Sequence, residues 1–265
     1  MKDLTLSLIQ SDITWEERDR NLQSFEKWMD SINESPDIIL LPEMFNTGFS
    51  INPDACAETM SGETMNFLKS QSGKRNCMII GSLMISENGG YFNRIVCMRP
   101  DGQFDYSDKR HLFRLSEEYK MIRPGGKKII VNWNGWKILP LICYDLRFPV
   151  WSRNYLTGGK DYNYDLLLYI ANWPQSRAHI WRSLLVARAI ENLVFAAGVN
   201  RIGTDGFGTA HCGESMVIDP KGFIMAEAGK NKETVLTVKL FASDLLRVRE
   251  KYPFGMDWDQ FSIIL

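Results

Sequence analysis

The feature that most restricts the fold is an order of elements that begins twice. LTLSLIQ (4–10) alternates apolar and polar side chains as a strand does, and NLQSFEKWMDSI (21–32) puts Leu22, Phe25, Trp28, Met29 and Ile32 on one helical face. DIILLPE (37–43) follows as a short buried strand, Glu58 to Ser70 has helical character, and CMIIGSLMI (77–85) is strand-like again. Strands separated by helices call for crossover connections and parallel pairing. After residue 143 the same order resumes, with a helix near Val150 to Leu156, the strand DLLLYIA, a helix from about Ser176 to Glu191 and the strand LVFAAGVN. The two halves resemble each other.

Hairpins fill the stretches between. YFNRIVCMRP and QFDYSDK flank the turn Asp101-Gly102, KKIIVNW and WKILPLICYD flank Asn134-Gly135, and ESMVIDPKGFIMAEAG folds back at Asp219 to Gly222. TVLTVKL is a further strand and FASDLLRVREKY a closing helix, followed by the tail PFGMDWDQFSIIL. Mixed strands with one-faced helices suit two sheets packed together with helices outside, an α/β class.

No linker or low-complexity stretch divides the 265 residues, and 45% apolar content can bury a substantial core, so 1–265 reads as a single domain. A net charge of −1 supplies no field to recruit nucleic acid or an anionic membrane, which leaves a small molecule as the expected partner. No run approaches the roughly 18 apolar residues of a membrane span, and MKDLTLSLIQSD turns polar too soon for a secretion signal. A cytoplasmic protein is expected. Cysteines 56, 77, 97, 143 and 212 are odd in number, spread out and free of any C-x-x-C pair, as reduced thiols are.

Three polar residues stand directly after strands: Glu43 after DIILLP, Lys109 after QFDYSD and Cys143 after WKILPLI. Strand ends converge at one rim of a sheet. A carboxylate takes a thiol proton, the thiolate attacks a carbonyl carbon, and an ammonium stabilises the oxyanion. Taken singly, each residue has an ordinary structural reading: a solvated turn carboxylate, a lysine snorkelling from a strand end, a cysteine used as core packing.

The local motifs shift that balance. LPEMFNTGF, DKRHLF and ICYDLRFP, in this order and separation, resemble the nitrilase superfamily of carbon–nitrogen hydrolases, and ANWP (171–174), ARAIEN (187–192) and GVNR (198–201) extend the likeness over most of the chain. The resemblance implies a four-layer α-β-β-α sandwich with two mixed sheets face to face. It assigns Glu43 as general base, Lys109 as oxyanion lysine and Cys143 as nucleophile, and it calls for a second glutamate before the cysteine. Glu117 and Glu118 compete for that place; the family's spacing to Pro124-Gly125 favours Glu118. The Tyr144 amide would be a further oxyanion donor.

LPEMFNTGF with CYDLRFPVWSRN and ANWP looks most like the ω-amidase group, which implies hydrolysis of the terminal amide of 2-oxoglutaramate or 2-oxosuccinamate through a thioester, without metal or organic cofactor. A dicarboxylic monoamide needs a cation at its far end, and Arg147, Arg114 and Arg177 are the candidates. Phe49 and Trp173 are candidate pocket walls. The family also implies a homodimer, with Val150 to Tyr155 and the tail 253–265 as candidate contact segments; the alternative for the tail is to fold over its own subunit. The alternatives are another nitrilase-type hydrolase, acting on an N-carbamoyl compound, other amide or nitrile, and a thiol-sensing or binding module on the same scaffold. His111, His179 and His211 show no metal-ligand spacing, and a Cys143–His211 dyad would leave Glu43 and Lys109 without a task. GTDGFG (203–208) lacks the lysine and hydroxyl residue of a phosphate loop and reads as a flexible loop.

Overall fold

A strand covered on both faces needs apolar side chains at successive positions, which is why so many of the runs above are continuous. The computed structural model describes residues 1–264 and gathers them into two six-stranded sheets. The first runs in the order Thr234–Leu240, Leu4–Gln10, Ile38–Leu40, Met78–Glu87, Gly90–Met98, Phe104–Asp108. The second runs Val131–Trp133, Trp136–Ile142, Leu166–Ala171, Phe195–Asn200, Met216–Ile218, Ile224–Glu227. Each has three parallel strands at its centre, one antiparallel strand on one side and two on the other. The doubled order in sequence is thus a doubled topology. The last strand returns to pair with the first from Leu4↔Leu240 to Gln10↔Thr234.

Period two sorts the side chains into layers. Leu6, Leu8, Ile38, Leu40, Met78 and Ile95 join Ile138, Leu166 and Leu168 of the other sheet in one buried cluster. Their neighbours Ile9, Ile39, Leu41, Ile79 and Val96 point the other way, onto Leu22, Phe25, Met29 and Leu68 of the helices Arg18–Asp30 and Glu63–Arg75. Trp181, Leu185 and Ala189 of the helix Ala178–Asn192 cover the second sheet. The result is an α-β-β-α sandwich. Asn134 and Gly135 take φ of +50° and +83°, the paired left-handed turn that a two-residue hairpin requires.

Element limits differ from the sequence reading where side chains intervene. The second helix starts at Glu63, not Glu58, because the Glu58 carboxylate accepts the Thr64 N–H at 2.9 Å and so caps the helix from outside it. The helix expected near Val150 to Leu156 is one turn, Pro149–Ser152. Asn154 is drawn off instead by Asn192 Oδ1, 2.8 Å from its N–H, and by the Tyr164 carbonyl, 3.0 Å from its Nδ2. GTDGFG forms the turn of a small hairpin, Ile202–Thr204 with Ala210–Cys212. In the tail, Trp258 lies under the Arg153 guanidinium at 4.6 Å and edge-on to Tyr162, while Met256 and Ile264 are exposed. Among the described residues no helix is long and apolar enough to cross a membrane.

This topology sets the site. Chain leaving the carboxyl ends of Ile38–Leu40, Trp136–Ile142 and Leu166–Ala171 supplies Glu43, Cys143 and Asn172. Phe104–Asp108 is two antiparallel steps from Met78–Glu87, so it runs in the same direction and delivers Lys109 to the same rim of its sheet.

Candidate active site

At Cys143 the strand passes directly into a turn of 3-10 helix, Cys143–Arg147, and the cysteine takes a φ of +40°. That left-handed conformation crowds a β-carbon and persists only where the surroundings hold it. Asp145 Oδ2 accepts the Ile142 N–H at 3.2 Å before the cysteine, and Arg188 Nη2 donates to the Leu146 carbonyl at 2.7 Å beyond it. The residue is 8% exposed, at the floor of a cavity of about 520 Å³, within the ordinary range for a small-molecule site.

Glu43, Lys109 and Glu118 are at most 1% exposed, so their charges must satisfy one another. Lys109 Nζ lies 2.9 Å from Glu43 Oε1 and 2.9 and 3.1 Å from the two Glu118 oxygens. The remaining carboxylate capacity is met by neutral donors. Asn93 Nδ2 reaches Glu43 Oε1 at 2.9 Å, the Asn172 N–H reaches Glu43 Oε2 at 3.0 Å, and the Phe113 N–H reaches Glu118 Oε2 at 2.6 Å. Glu117, one residue earlier, is exposed and pairs with Lys120 instead. Gly125 closes the loop with its N–H on the Lys109 carbonyl at 2.8 Å, and a β-carbon there would sit 2.1 Å from the Asp108 carbonyl oxygen. This contact explains why Pro124 is followed by glycine.

Burial alone would discharge Lys109, but Glu118, Glu43 and the Cys143 sulfur outweigh it and hold its pKa above the ordinary lysine value. Glu118 is pushed up by burial, against the pull of the Lys109 charge. Burial first, and then the Glu43 charge, raises the Cys143 thiol well above its usual value, while Lys109 pulls it down. The thiol is therefore protonated at neutral pH and needs a base to become nucleophilic.

Phe49 lies beside Lys109, whose Nζ is 4.9 Å from the ring centre, and Trp173 carries the Arg147 guanidinium at 5.1 Å. Arg177 sits over Phe113 at 5.2 Å. Arg147 and Arg177 both line the cavity, and neither has an acidic partner among the described residues. Burial and then Arg147 lower the Arg177 pKa, as two unneutralised neighbours must. Arg114 is over Tyr119 and lies outside the cavity wall. His211 lines the cavity with Nε2 3.2 Å from Asp205 Oδ2.

A model of the family described as carbon-nitrogen hydrolase matches residues 5–250. The chain belongs to the carbon–nitrogen hydrolase family. This hydrolase is 40% identical over 263 residues to Omega-amidase YafV of Escherichia coli (strain K12), covering 99% of the chain and 100% of that relative. It is 32% identical over 253 residues to the 2-oxoglutaramate amidase of Bacillus subtilis (strain 168), covering 94% and 95%. Its fold superimposes with a TM-score of 0.96 on XC1258 from Xanthomonas campestris, described as a CN-hydrolase superfamily protein with an arsenic adduct in the active site, at 39% identity over 99% of this chain and 100% of that one. The hydrolase is accordingly an amide-hydrolysing enzyme.

Sequence reasoning gave no role to Asn172, Asp145 and Arg188, although the motifs ANWP, ICYDLRFP and ARAIEN contain them, and did not reach Asn93. Asn172 had a signal, since it follows the run DLLLYIA as Glu43 follows DIILLP. Asn93 had none, being one polar residue inside a strand.

Proposed function

We propose that this hydrolase is a cysteine-dependent amidase that removes the terminal amide nitrogen of a small 2-oxo acid, 2-oxoglutaramate or 2-oxosuccinamate, giving the dicarboxylate and ammonia. The observation that carries the reading is one cavity with a buried thiol, carboxylate and ammonium at its floor and two arginines without acidic partners, among the described residues, on its wall. The names of the relatives, Omega-amidase and 2-oxoglutaramate amidase, support the substrate.

In the proposed reaction the thiol proton passes to Glu43 as Cys143 Sγ bonds to the amide carbon. Lys109 Nζ and the Tyr144 N–H, the first amide after the nucleophile, hold the oxyanion. Glu43 returns the proton to nitrogen, the C–N bond breaks, and ammonia leaves a thioester on Cys143. Water then gives a proton to Glu43 and attacks; the C–S bond breaks and the sulfur recovers its proton. Glu118 keeps Lys109 charged and aligned throughout. Arg147 and Arg177 bind the far carboxylate between the walls made by Phe49 and Trp173. No step calls on a metal or organic cofactor.

Ammonia release over a panel of 2-oxo acid amides, amino acid amides, N-carbamoyl compounds and nitriles tests the reading. We expect kcat/KM for 2-oxoglutaramate to exceed that for a neutral aliphatic amide by about 100-fold, the worth of a charge-assisted carboxylate contact. Equal values would remove the 2-oxo acid; a Cys143→Ala protein that still released ammonia would remove the thioester. The exposed Val150 and Tyr155 with the tail support a homodimer contact, and a monomer mass by light scattering would refute it.

A further inference from the structure

Lys109 and Cys143 leave different sheets, so something other than strand pairing must fix their spacing. Asp145 is 1% exposed and takes no part in the reaction above. Its Oδ2 accepts the amide that leads into Cys143, while its Oδ1 accepts the His111 main-chain N–H at 3.0 Å and lies 2.7 Å from His111 Nδ1. A carboxylate oxygen only accepts, so Nδ1 carries the proton. His111 stands two residues past Lys109. One buried carboxylate therefore joins the chain entering the thiol to the chain leaving the ammonium. The imidazole is itself held, stacked on Phe148 at 3.7 Å with planes 8° apart and meeting Trp151 edge-on at 6.0 Å.

We propose that His111 is a positioning residue: its bond to Asp145 sets the distance between Lys109 Nζ and Cys143 Sγ and keeps Cys143 left-handed. His111 is not among the residues that line the cavity. The proposal rests on the reading of Cys143 as nucleophile and Lys109 as oxyanion donor. Two features make such a tether necessary. The left-handed cysteine is a strained conformation that relaxes if its neighbours release it. A displacement of about 1 Å between reacting groups lowers a rate by about 100-fold.

The test compares His111→Phe, which keeps a ring against Phe148 and the main-chain N–H on Asp145 but has no side-chain donor, with His111→Asn, whose amide nitrogen stands near the Nδ1 position. Three readouts are needed: kcat and KM for ammonia release, the pH dependence of Cys143 alkylation by iodoacetamide, and the melting temperature. In His111→Phe kcat falls by about 100-fold with KM within about threefold of the parent, and the alkylation profile moves to higher pH as Lys109 draws away from the sulfur. His111→Asn restores the profile and brings kcat to within about tenfold of the parent. The proposal is overturned by a parental profile in His111→Phe, by a kcat loss no larger than its loss of folded protein, or by His111→Asn behaving no better. Should His111→Phe not fold, His111→Gln replaces it, because its donor stands at the Nε2 position and must fail in the same way. If the parent releases ammonia from no amide, the proposed reaction falls, and the alkylation profiles still decide the tether.

Discussion

Lys109→Met separates the two duties assigned to this lysine. Methionine fills the space of the stem and removes the ammonium, leaving Glu43 and Glu118 buried together, each having lost a contact of 2.9 Å. Breaking a buried ion pair by deleting one partner costs about 3–5 kcal/mol. At about 2–4 °C per kcal/mol for a chain of this size, the melting temperature falls by about 6–20 °C. The loss has a definite pH dependence. Burial already raises Glu118 above its usual value even with Lys109 beside it, and without the ammonium that carboxyl rises further. An acid whose native pKa is raised destabilises the fold above its unfolded pKa, where the unfolded chain ionises freely, and the deficit closes as pH falls through the native value. The gap between variant and parent is therefore widest near pH 8 and narrows toward pH 5. Activity does not return with stability, because loss of the proposed oxyanion donor lowers kcat by about 10²–10³. Calorimetric melting of both proteins across that range, with ammonia release in parallel, checks each part. A variant as stable as the parent near pH 8, or a deficit that grows on acidification, would refute the buried-charge reasoning.

Three further outcomes are expected. Because burial and Glu43 raise the Cys143 thiol, its alkylation in the free enzyme should climb through pH 9 without levelling off; a plateau near neutrality would mean a preformed thiolate and leave Glu43 without a proton to take. Arg147→Ala and Arg177→Ala should each lower kcat/KM for 2-oxoglutaramate by about 10–150-fold and leave a neutral amide nearly unchanged, so equal losses on both substrates would argue against a carboxylate contact. Burial and then Arg201 lower the His211 pKa from 6.5, so the stability that its neutral form contributes is complete above that value and is lost as pH falls from it through the native pKa. His211→Gln should flatten melting temperature against pH below about 6.5, and an unchanged slope would exclude His211 as the source.

The sheets were legible because period two acts on backbone geometry alone: Leu6 and Leu8 must face opposite to Ile9 whatever else the chain does. The layer count was not legible from period, since nothing in a strand's alternation tells which surface meets a helix and which a second sheet. Elements of one turn also escaped. Pro53–Cys56 and Glu118–Met121 are too short to show a 3.6-residue repeat, and their ends are set by contacts outside themselves.

The site divides along the same line. A polar residue that ends an apolar run is delivered to the rim by topology, and that rule alone reaches Glu43, Lys109 and Cys143, and would have reached Asn172. What holds these groups once they arrive is a different matter. The Asn172–Glu43 bond spans 129 residues and the His111–Asp145 bond 34, and no spacing requires either. Glu117 and Glu118 make the point at the smallest scale. Adjacent in sequence and alike in chemistry, one pairs with Lys120 at the surface and the other with Lys109 in the interior, because at the start of a helical turn one residue step swings the side chain about 100° around the axis. A sequence therefore records which atoms the fold brings to a place more readily than which bonds keep them there. Substitutions at His111 and Asp145 probe what the motif leaves unsaid: how firmly an ammonium from one sheet is kept beside a thiol from the other.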